Sequence, residues 1–156
     1  MKLYLPLPPK ALAGNKGDKM HWALRAKAMK VAAEDVMSWR VVCSAEALTL
    51  KQAVKDGRHL AMVVGAVPAK PGHTPKKVRG VADSLDRCCP DDQDNGVSAC
   101  KGYRDAIAKL IGVDDKIIHT QYQKLGRDHA LAKHFGDEGG LVVRLQAIAP
   151  PAIELE

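Results

Sequence analysis

The chain has few aromatic residues, few cysteines and no long apolar run. Aromatic residues make up 4% of the 156 residues, which disfavours a protein that binds single strands by stacking bases on rings and points a nucleic-acid binder toward duplex backbone contacts. No run approaches the roughly 20 apolar residues that span a bilayer, so we expect no membrane partner.

The cysteines lack the spacing of a strong metal site. They are Cys43, Cys88, Cys89 and Cys100. None of them forms the paired C-x-x-C pattern that is typical of zinc, so we expect free thiols. A zinc site shared with a histidine is the alternative.

The N-terminal stretch MKLYLPLPP also lacks a signal-peptide core, because Pro6, Pro8 and Pro9 interrupt its apolar run. We therefore expect a cytoplasmic protein. Hydrophobic residues make up 46% and charged residues 27% of the chain, which is a globular composition. The length is that of one domain, so residues 1–156 are predicted to form a single domain.

Positive charge is in excess. Lys and Arg number 24 against 18 Asp and Glu, which gives a formal charge of +6. This balance favours polyanionic partners, although many enzymes are also basic. The candidate DNA contacts are Arg25, Lys27, Lys70, Lys76, Lys77 and Arg79. A solvated helix face and a flexible loop are the other interpretations of these residues.

Hydrophobic periodicity and turn residues predict alternating strands and helices. The predicted strands are residues 2–7, 58–67, 116–125 and 141–149. One long helix is predicted for residues 21–48, which contain no Gly or Pro, and a second follows Pro90 and ends near Gly112. Residues 68–90 form a long basic connection and residues 150–156 a tail. The order predicts an α/β (α+β) domain with a mixed sheet of about four strands packed with two main helices.

Acidic residues bracket the second helix. Asp91, Asp92 and Asp94 precede it, and Asp114 and Asp115 follow its predicted end. Carboxylates at a helix start accept hydrogen bonds from free amides and favour the positive end of the dipole, so capping is one interpretation. A cap needs only one carboxylate, and the additional acids favour a further role.

The spacing on a continuous helix adds detail. Asp94 and Lys101 differ by roughly 700° of rotation, about 20° from eclipsed, and Asp105 comes round to the same side. Asp115 lies at the other end of the helix, about 25 Å away. It meets Asp94 only if the strands fold its turn back toward the helix start.

Two parts of the chain resemble the RusA family of Holliday junction resolvases. In that family an Asp-x-Asp-Asn motif opens a helix, a lysine and an aspartate follow on it, and an Asp-Asp pair comes after a Gly-containing turn. The matching residues here are Asp92-Gln93-Asp94-Asn95, Lys101, Asp105-Ala106-Ile107 and Leu110-Ile111-Gly112-Val113-Asp114-Asp115. The N-terminal LPLPPKALAGNKGDKMHWALRAKAMK is similar to the family's opening strand, Pro-Pro turn, Asn-containing loop and His-Trp helix start.

The resemblance implies a Mg²⁺-dependent endodeoxyribonuclease that resolves Holliday junctions by paired symmetric nicks during DNA recombination and repair. It implies that Asp92, Asp94 and Asp115 are catalytic metal ligands and that Lys101 supports the scissile phosphate. Asp91 is an alternative to Asp92 as the first ligand. Mg²⁺ fits carboxylate ligands because it is a hard cation that prefers oxygen, and Mn²⁺ is an expected substitute.

The resemblance also implies a RusA-like fold, a homodimer, four-way junctions and other branched DNA as partners, and the cytoplasm of a bacterial host with a phage or prophage origin. Cleavage is expected to leave 5′-phosphate and 3′-hydroxyl ends. Two other functions stay open. One is a nuclease for other branched DNA, and the other is a junction-binding protein whose acids only cap and solubilise the helix.

Overall fold

The computed structural model describes residues 1–13, 22–73 and 86–152. The strands within these ranges are β1 (Lys2–Leu5), β2 (His59–Val67), β3 (Ile118–Lys124) and β4 (Gly140–Ile148). The α-helices within them are α1 (Trp22–Met37), α2 (Ser44–Lys55), α3 (Gln93–Ala99) and α4 (Lys101–Ile111). Short 3-10 segments occupy Lys10–Leu12, Asp115–Ile117 and Ala130–His134.

The four strands form one mixed sheet in the order β1-β4-β2-β3. β4 pairs antiparallel with both β1 and β2, whereas β2 and β3 are parallel. Parallel neighbours need a crossover connection, and the segment that carries α3 and α4 supplies it. The predicted mixed sheet of four strands in an α+β fold is confirmed.

The helices cover one face of the sheet. Alternate residues of β2, among them Leu60, Met62 and Val64, are buried on that face. They share a core with Val36 of α1 and Ile107 of α4. The opposite face carries the alternate strand residues, several of which are exposed.

The prediction of two main helices is wrong, because each of the two predicted helices is divided and the described ranges contain four α-helices. The helix predicted for residues 21–48 is interrupted by a turn after Met37. There the Ser38 hydroxyl donates to the Asp35 carbonyl at 2.7 Å, and such local bonds compete with the helix. The half-buried Trp39 ring lies 6.1 Å from the Tyr4 ring, so packing on β1 holds the turn in place.

The second predicted helix is divided at Cys100, whose φ of −84° and ψ of 2° are not those of a continuing α-helix. α3 packs on β3 and α4 packs on α1, so the two helices follow different neighbours. The rotation that relates Asp94 to Lys101 on one continuous helix therefore does not apply across this break.

Gly96 sets the position of α3. A Cβ on this residue would overlap the Tyr122 ring of β3. We expect Gly96→Ala to lower the free energy of unfolding by about 2 kcal/mol, because overpacking forces the ring or the helix to move. Urea unfolding measures this change, with Ser98→Ala on the exposed side of α3 as the control. Equal stability of the two variants would contradict the close packing of α3 on β3.

Candidate active site at the start of α3

Backbone hydrogen bonds anchor the residues that lead into the acidic segment. The Lys10 amide donates to the Asp86 carbonyl at 2.7 Å, and the Cys88 amide donates to the Pro8 carbonyl at 3.0 Å. Pro9 and Arg87 form an isolated bridge between the same two stretches. The Pro-Pro turn after β1 is therefore the support on which the acidic segment begins.

The Arg87 side chain strengthens this support from within. Its Nη1 lies 3.0 Å from Asp35 Oδ2 and 3.0 Å from the Leu7 carbonyl oxygen, and it donates to Tyr103 Oη at 3.1 Å. The side chains of Arg87 and Asp35 are only 14% and 16% exposed. One guanidinium thus ties the end of β1 to α1 and α4.

The Tyr103 hydroxyl completes this network. It lies 2.9 Å from Asp35 Oδ2 and 2.9 Å from the Pro6 carbonyl oxygen, so its single proton has two acceptors. Burial, and then the Asp35 charge, raise the pKa of Tyr103 well above its ordinary value. The phenol therefore stays neutral and keeps its proton available for donation.

Tyr122 holds the acidic segment from the side of β3. Its hydroxyl donates to the Pro90 carbonyl at 2.7 Å and lies 3.7 Å from Cys89 Sγ. Its ring packs on Gly96. The residues before and within α3 are thus fixed to the same side chain, which positions the helix start between them.

Asp92 caps α3. Its Oδ1 accepts from the Asn95 amide at 2.9 Å, and its Oδ2 accepts from Asn95 Nδ2 at 2.8 Å. The hydrogen bond from the Asn95 amide is the main reason why the pKa of Asp92 is lowered. The carboxylate is exposed, so it is ionised at neutral pH and open to solvent.

Asp94 is the exposed acid of the first turn of α3. Its side chain makes no hydrogen bond or ion pair with another described residue. Asp92 and Asp94 are therefore two exposed carboxylates at one helix start, and the second is free of competing contacts in the described part of the chain.

Asp91 is engaged with a cation. It forms a hydrogen-bonded ion pair with Lys124 at the end of β3. This hydrogen bond is the main reason why the pKa of Lys124 is raised. As an alternative first metal ligand, Asp91 would have to leave Lys124, whereas Asp92 would not.

Asp115 lies beyond the other end of β3. Arg104 stands between two acids, with its Nη2 3.5 Å from Asp115 Oδ2 and its Nε 3.7 Å from Asp105 Oδ1. Asp114 instead caps the following 3-10 turn by accepting from the Lys116 amide at 2.9 Å. The second acid set is thus partly neutralised by a cation of α4.

The two acid sets are separated by the length of β3. Asp91 contacts Lys124 at one end of the strand, and Asp115 precedes Ile118 at the other. Seven residues at a strand rise of about 3.3 Å span roughly 20 Å. Within residues 1–13, 22–73 and 86–152, no group of three or more His, Cys, Asp or Glu side chains lies close enough to hold a metal ion.

The predicted cations are placed as follows. Lys101 is exposed at the first position of α4, directly after the break at Cys100. Arg25 and Lys27 are exposed on α1. Lys70 is exposed and its amide donates to the Asp137 carbonyl at 2.7 Å. Outside the described residues lie Lys76, Lys77 and Arg79.

All four cysteines are free thiols. Burial raises the pKa of Cys88 to about 11 and that of Cys100 to about 12. Both are therefore protonated at neutral pH and are poor nucleophiles. Cys100 is part of the hydrophobic core, whereas Cys88 is half-buried beside the Pro-Pro turn.

Three side chains that matter to this site carried no strong sequence signal. Arg104 and Lys124 neutralise acids, and Arg87 anchors the segment. The sequence offered only the adjacency of Arg104 to Asp105 and the position of Arg87 four residues before the acidic run. Neither position shows which acid a long side chain reaches.

Comparison with known proteins gives one distant relative and no function. The chain is 34% identical over 116 residues to an uncharacterized protein of Xylella fastidiosa (strain Temecula1 / ATCC 700964), a match that covers 73% of this chain. The chain spans 60% of the length of that relative. No family model matches the chain, and no solved structure matches it. No helix among the described residues is both long and apolar enough to cross a membrane.

The Arg87 network makes a prediction about stability. Arg87→Gln leaves the Asp35 carboxylate with little charge compensation in a mostly buried place, so we expect a loss of about 3 kcal/mol in the free energy of unfolding. Urea unfolding measures it, and Arg40→Gln on an exposed arginine is the control. If the two variants unfold at the same urea concentration, the network does not anchor the acidic segment.

Proposed function

We propose that the protein is a Mg²⁺-dependent endonuclease that nicks branched DNA, with the four-way junction as its preferred substrate. The observation that carries the proposal is the exposed pair Asp92 and Asp94 on one rigidly supported helix start. The motif around this pair resembles the RusA signature, and the formal charge of +6 favours a polyanionic substrate.

The donor chemistry of this pair fits Mg²⁺. The ion commonly binds one or two protein carboxylates and takes its other ligands from water and substrate phosphate. Asp92 and Asp94 would hold the ion. Asp115 of the same chain lies at the opposite end of β3 and would not be a ligand to it. When bound, it would activate a water for attack and offset charge that develops on the phosphate.

The chain's own residues have separate tasks in this proposal. The Arg87 network and Tyr122 keep the helix start in place, so the acids need little reorganisation when DNA arrives. The exposed Lys101 ammonium lies in the next helix and is available to a phosphate. Lys124 neutralises Asp91, which lowers the repulsion between the acidic turn and a DNA strand.

A homodimer of the type that the resemblance implies offers a way to use Asp115. The two acid sets lie at opposite ends of β3, so no rotamer change within one chain can bring them together. A twofold axis perpendicular to β3 relates this strand to an antiparallel copy of itself in the second chain. It would set the Asp115 end of one chain beside the Asp94 end of the other, and a junction with two symmetric arms needs two such sites.

A second function is favoured by a specific observation. Asp92 caps α3, Asp91 pairs with Lys124, and Asp115 pairs with Arg104. Each of these acids thus has a structural role without metal. A junction-binding protein without nuclease activity would need no more than this arrangement.

Asp94→Asn separates the two functions. The variant keeps the shape of the helix start and removes one ligand charge, so we expect junction cleavage to fall on the order of 10³-fold, equivalent to about 4 kcal/mol of transition-state stabilisation. Binding should stay equal or improve, because a negative charge near DNA has gone. A labelled mobile four-way junction with Mg²⁺ or EDTA gives the measurement, and Asp56→Asn at the end of α2 is the control.

Cleavage by Asp94→Asn at the wild-type rate would contradict the assigned site. Tight binding by the wild type without nicks in Mg²⁺ or Mn²⁺ would instead favour the non-catalytic function. Flap and linear duplex substrates in the same assay show whether the junction is preferred.

Mixing Asp94→Asn with Asp115→Asn tests whether each site uses both chains. If the partner's Asp115 completes the site, each variant alone should fail to nick the junction. In a mixed dimer of Asp94→Asn and Asp115→Asn, a site shared between chains leaves one complete set of acids, and we expect single nicks to return. If each site instead lies within one chain, each of the two sites lacks one acid, and no nicks return. Each variant mixed with itself is the control.

A further inference from the structure

The sheet has one face that the α-helices leave open, and the 3-10 segment Ala130–His134 lies against part of it, with the His134 ring 4.7 Å from the Tyr4 ring. This open face carries the alternate residues of each strand, and one row runs across all four strands. That row consists of Lys2 of β1, Arg144 of β4, Val63 of β2 and Gln121 of β3, in register. Neighbouring strands lie about 4.8 Å apart, so the row is roughly 14 Å wide.

Two cations of this row lie directly opposite each other. Lys2 pairs in register with Arg144 on the antiparallel strands β1 and β4. Neither makes an ion pair with a described residue. Lys2 Nζ lies 5.3 Å from the centre of the Tyr4 ring. Like charges in opposite positions destabilise a sheet. An anion between them would remove that cost.

The open face also contains a groove beside this cation pair. It has a volume of about 380 Å³, and its lining contains no carboxylate. Arg144 lines it together with four side-chain amides. These amides belong to Gln93, Gln121, Gln123 and Gln146. Each amide offers a donor and an acceptor, which suits the mixed polar edges of nucleotides.

The groove leads to the acidic helix start. Gln93, which lines it, is the residue between Asp92 and Asp94 in α3. A chain laid along the open face would therefore reach the two acids at one end. A small anion would contact only Lys2 and Arg144. The amide-lined groove continues from these cations toward the acids and is longer than a single phosphate, so it suits a longer ligand.

We propose that the open sheet face binds a DNA strand, with its phosphates on Lys2 and Arg144 and its polar edges on the glutamine amides, and guides it to the acids of α3. The proposal rests on the proposed function in that DNA is the ligand. It adds two cations, Lys2 and Arg144, that are not among the basic residues predicted from the sequence to contact DNA.

The test compares two double variants that both lower the formal charge from +6 by two. Lys2→Gln with Arg144→Gln removes the cation pair of the open face. Lys55→Gln with Lys109→Gln removes two exposed cations from α2 and α4. Anisotropy of a fluorescent four-way junction in EDTA, over a series of KCl concentrations, gives the affinity and its salt dependence.

We expect the open-face variant to bind at least about tenfold more weakly, with a log–log salt slope smaller by roughly two, since two phosphate contacts are lost. The control should keep most of the affinity. Removing a repulsive pair should leave the thermal midpoint unchanged or higher, which distinguishes lost contacts from a damaged fold. If the thermal midpoint of the double variant is lower than that of the wild type, the single variants Lys2→Gln and Arg144→Gln are used to compare junction affinity instead.

Equal losses of affinity in the two double variants would overturn the proposal, as would a wild-type protein that does not bind the junction. Cleavage in Mg²⁺ separates this proposal from the proposed function. If the open-face variant loses binding while the wild type never cuts, the DNA surface stands and the nuclease fails. If the wild type cuts and the open-face variant binds and cuts equally well, the nuclease stands and the surface fails.

Discussion

The mostly buried ion pair between Arg87 and Asp35 is the constraint on which the candidate site depends. The guanidinium reaches the chain before α1, the carboxylate of α1 and the hydroxyl of Tyr103 in α4. A pair of this kind adds little net stability compared with an apolar replacement, but losing one partner is costly. Its main effect here is on position. The acidic segment begins four residues after Arg87, so the Leu7 carbonyl and the Asp35 carboxylate that hold this side chain also limit where α3 begins.

Charge is distributed differently on the two sides of this support. On the helix side and at the two ends of β3, acids and bases meet as pairs, among them Asp91 with Lys124 and Asp115 with Arg104. On the open sheet face, Lys2 and Arg144 meet as like charges. Asp94 remains as an acid without a partner among the described side chains. A polyanion would complement the two cations of the open face, and a divalent cation would complement Asp94. Gln93 lies between these two places.

The sequence predicts the sheet better than the helices, and particular residues explain why. β2 and β4 are runs rich in apolar and β-branched residues, which predicts strands, and the burial of alternate residues from Leu60 to Val64 follows from a period of two. The helix interruptions at Ser38 and Cys100 contain no Gly or Pro, so no local signal marks them. Besides the local hydrogen bond from Ser38 to Asp35, they depend on contacts between distant residues, such as Trp39 with Tyr4 and Tyr122 with Gly96. The same holds for the site. Asp92 as a cap follows from its place before a helix, but Arg87 as an anchor depends on Asp35, which lies 52 residues away.

The topology also limits how the acids can cooperate. Because β2 and β3 are parallel, the chain must return along the sheet between them, and α3 and α4 make that return. An acid before α3 and an acid after α4 are then necessarily at opposite ends of β3. A separation of roughly 20 Å exceeds what side-chain rotation can close, and β3 is held in the sheet by its full register with β2. Cooperation of Asp115 with Asp92 and Asp94 on one phosphate therefore requires a second chain, because the parallel pairing that creates the core also keeps these acids apart within the first.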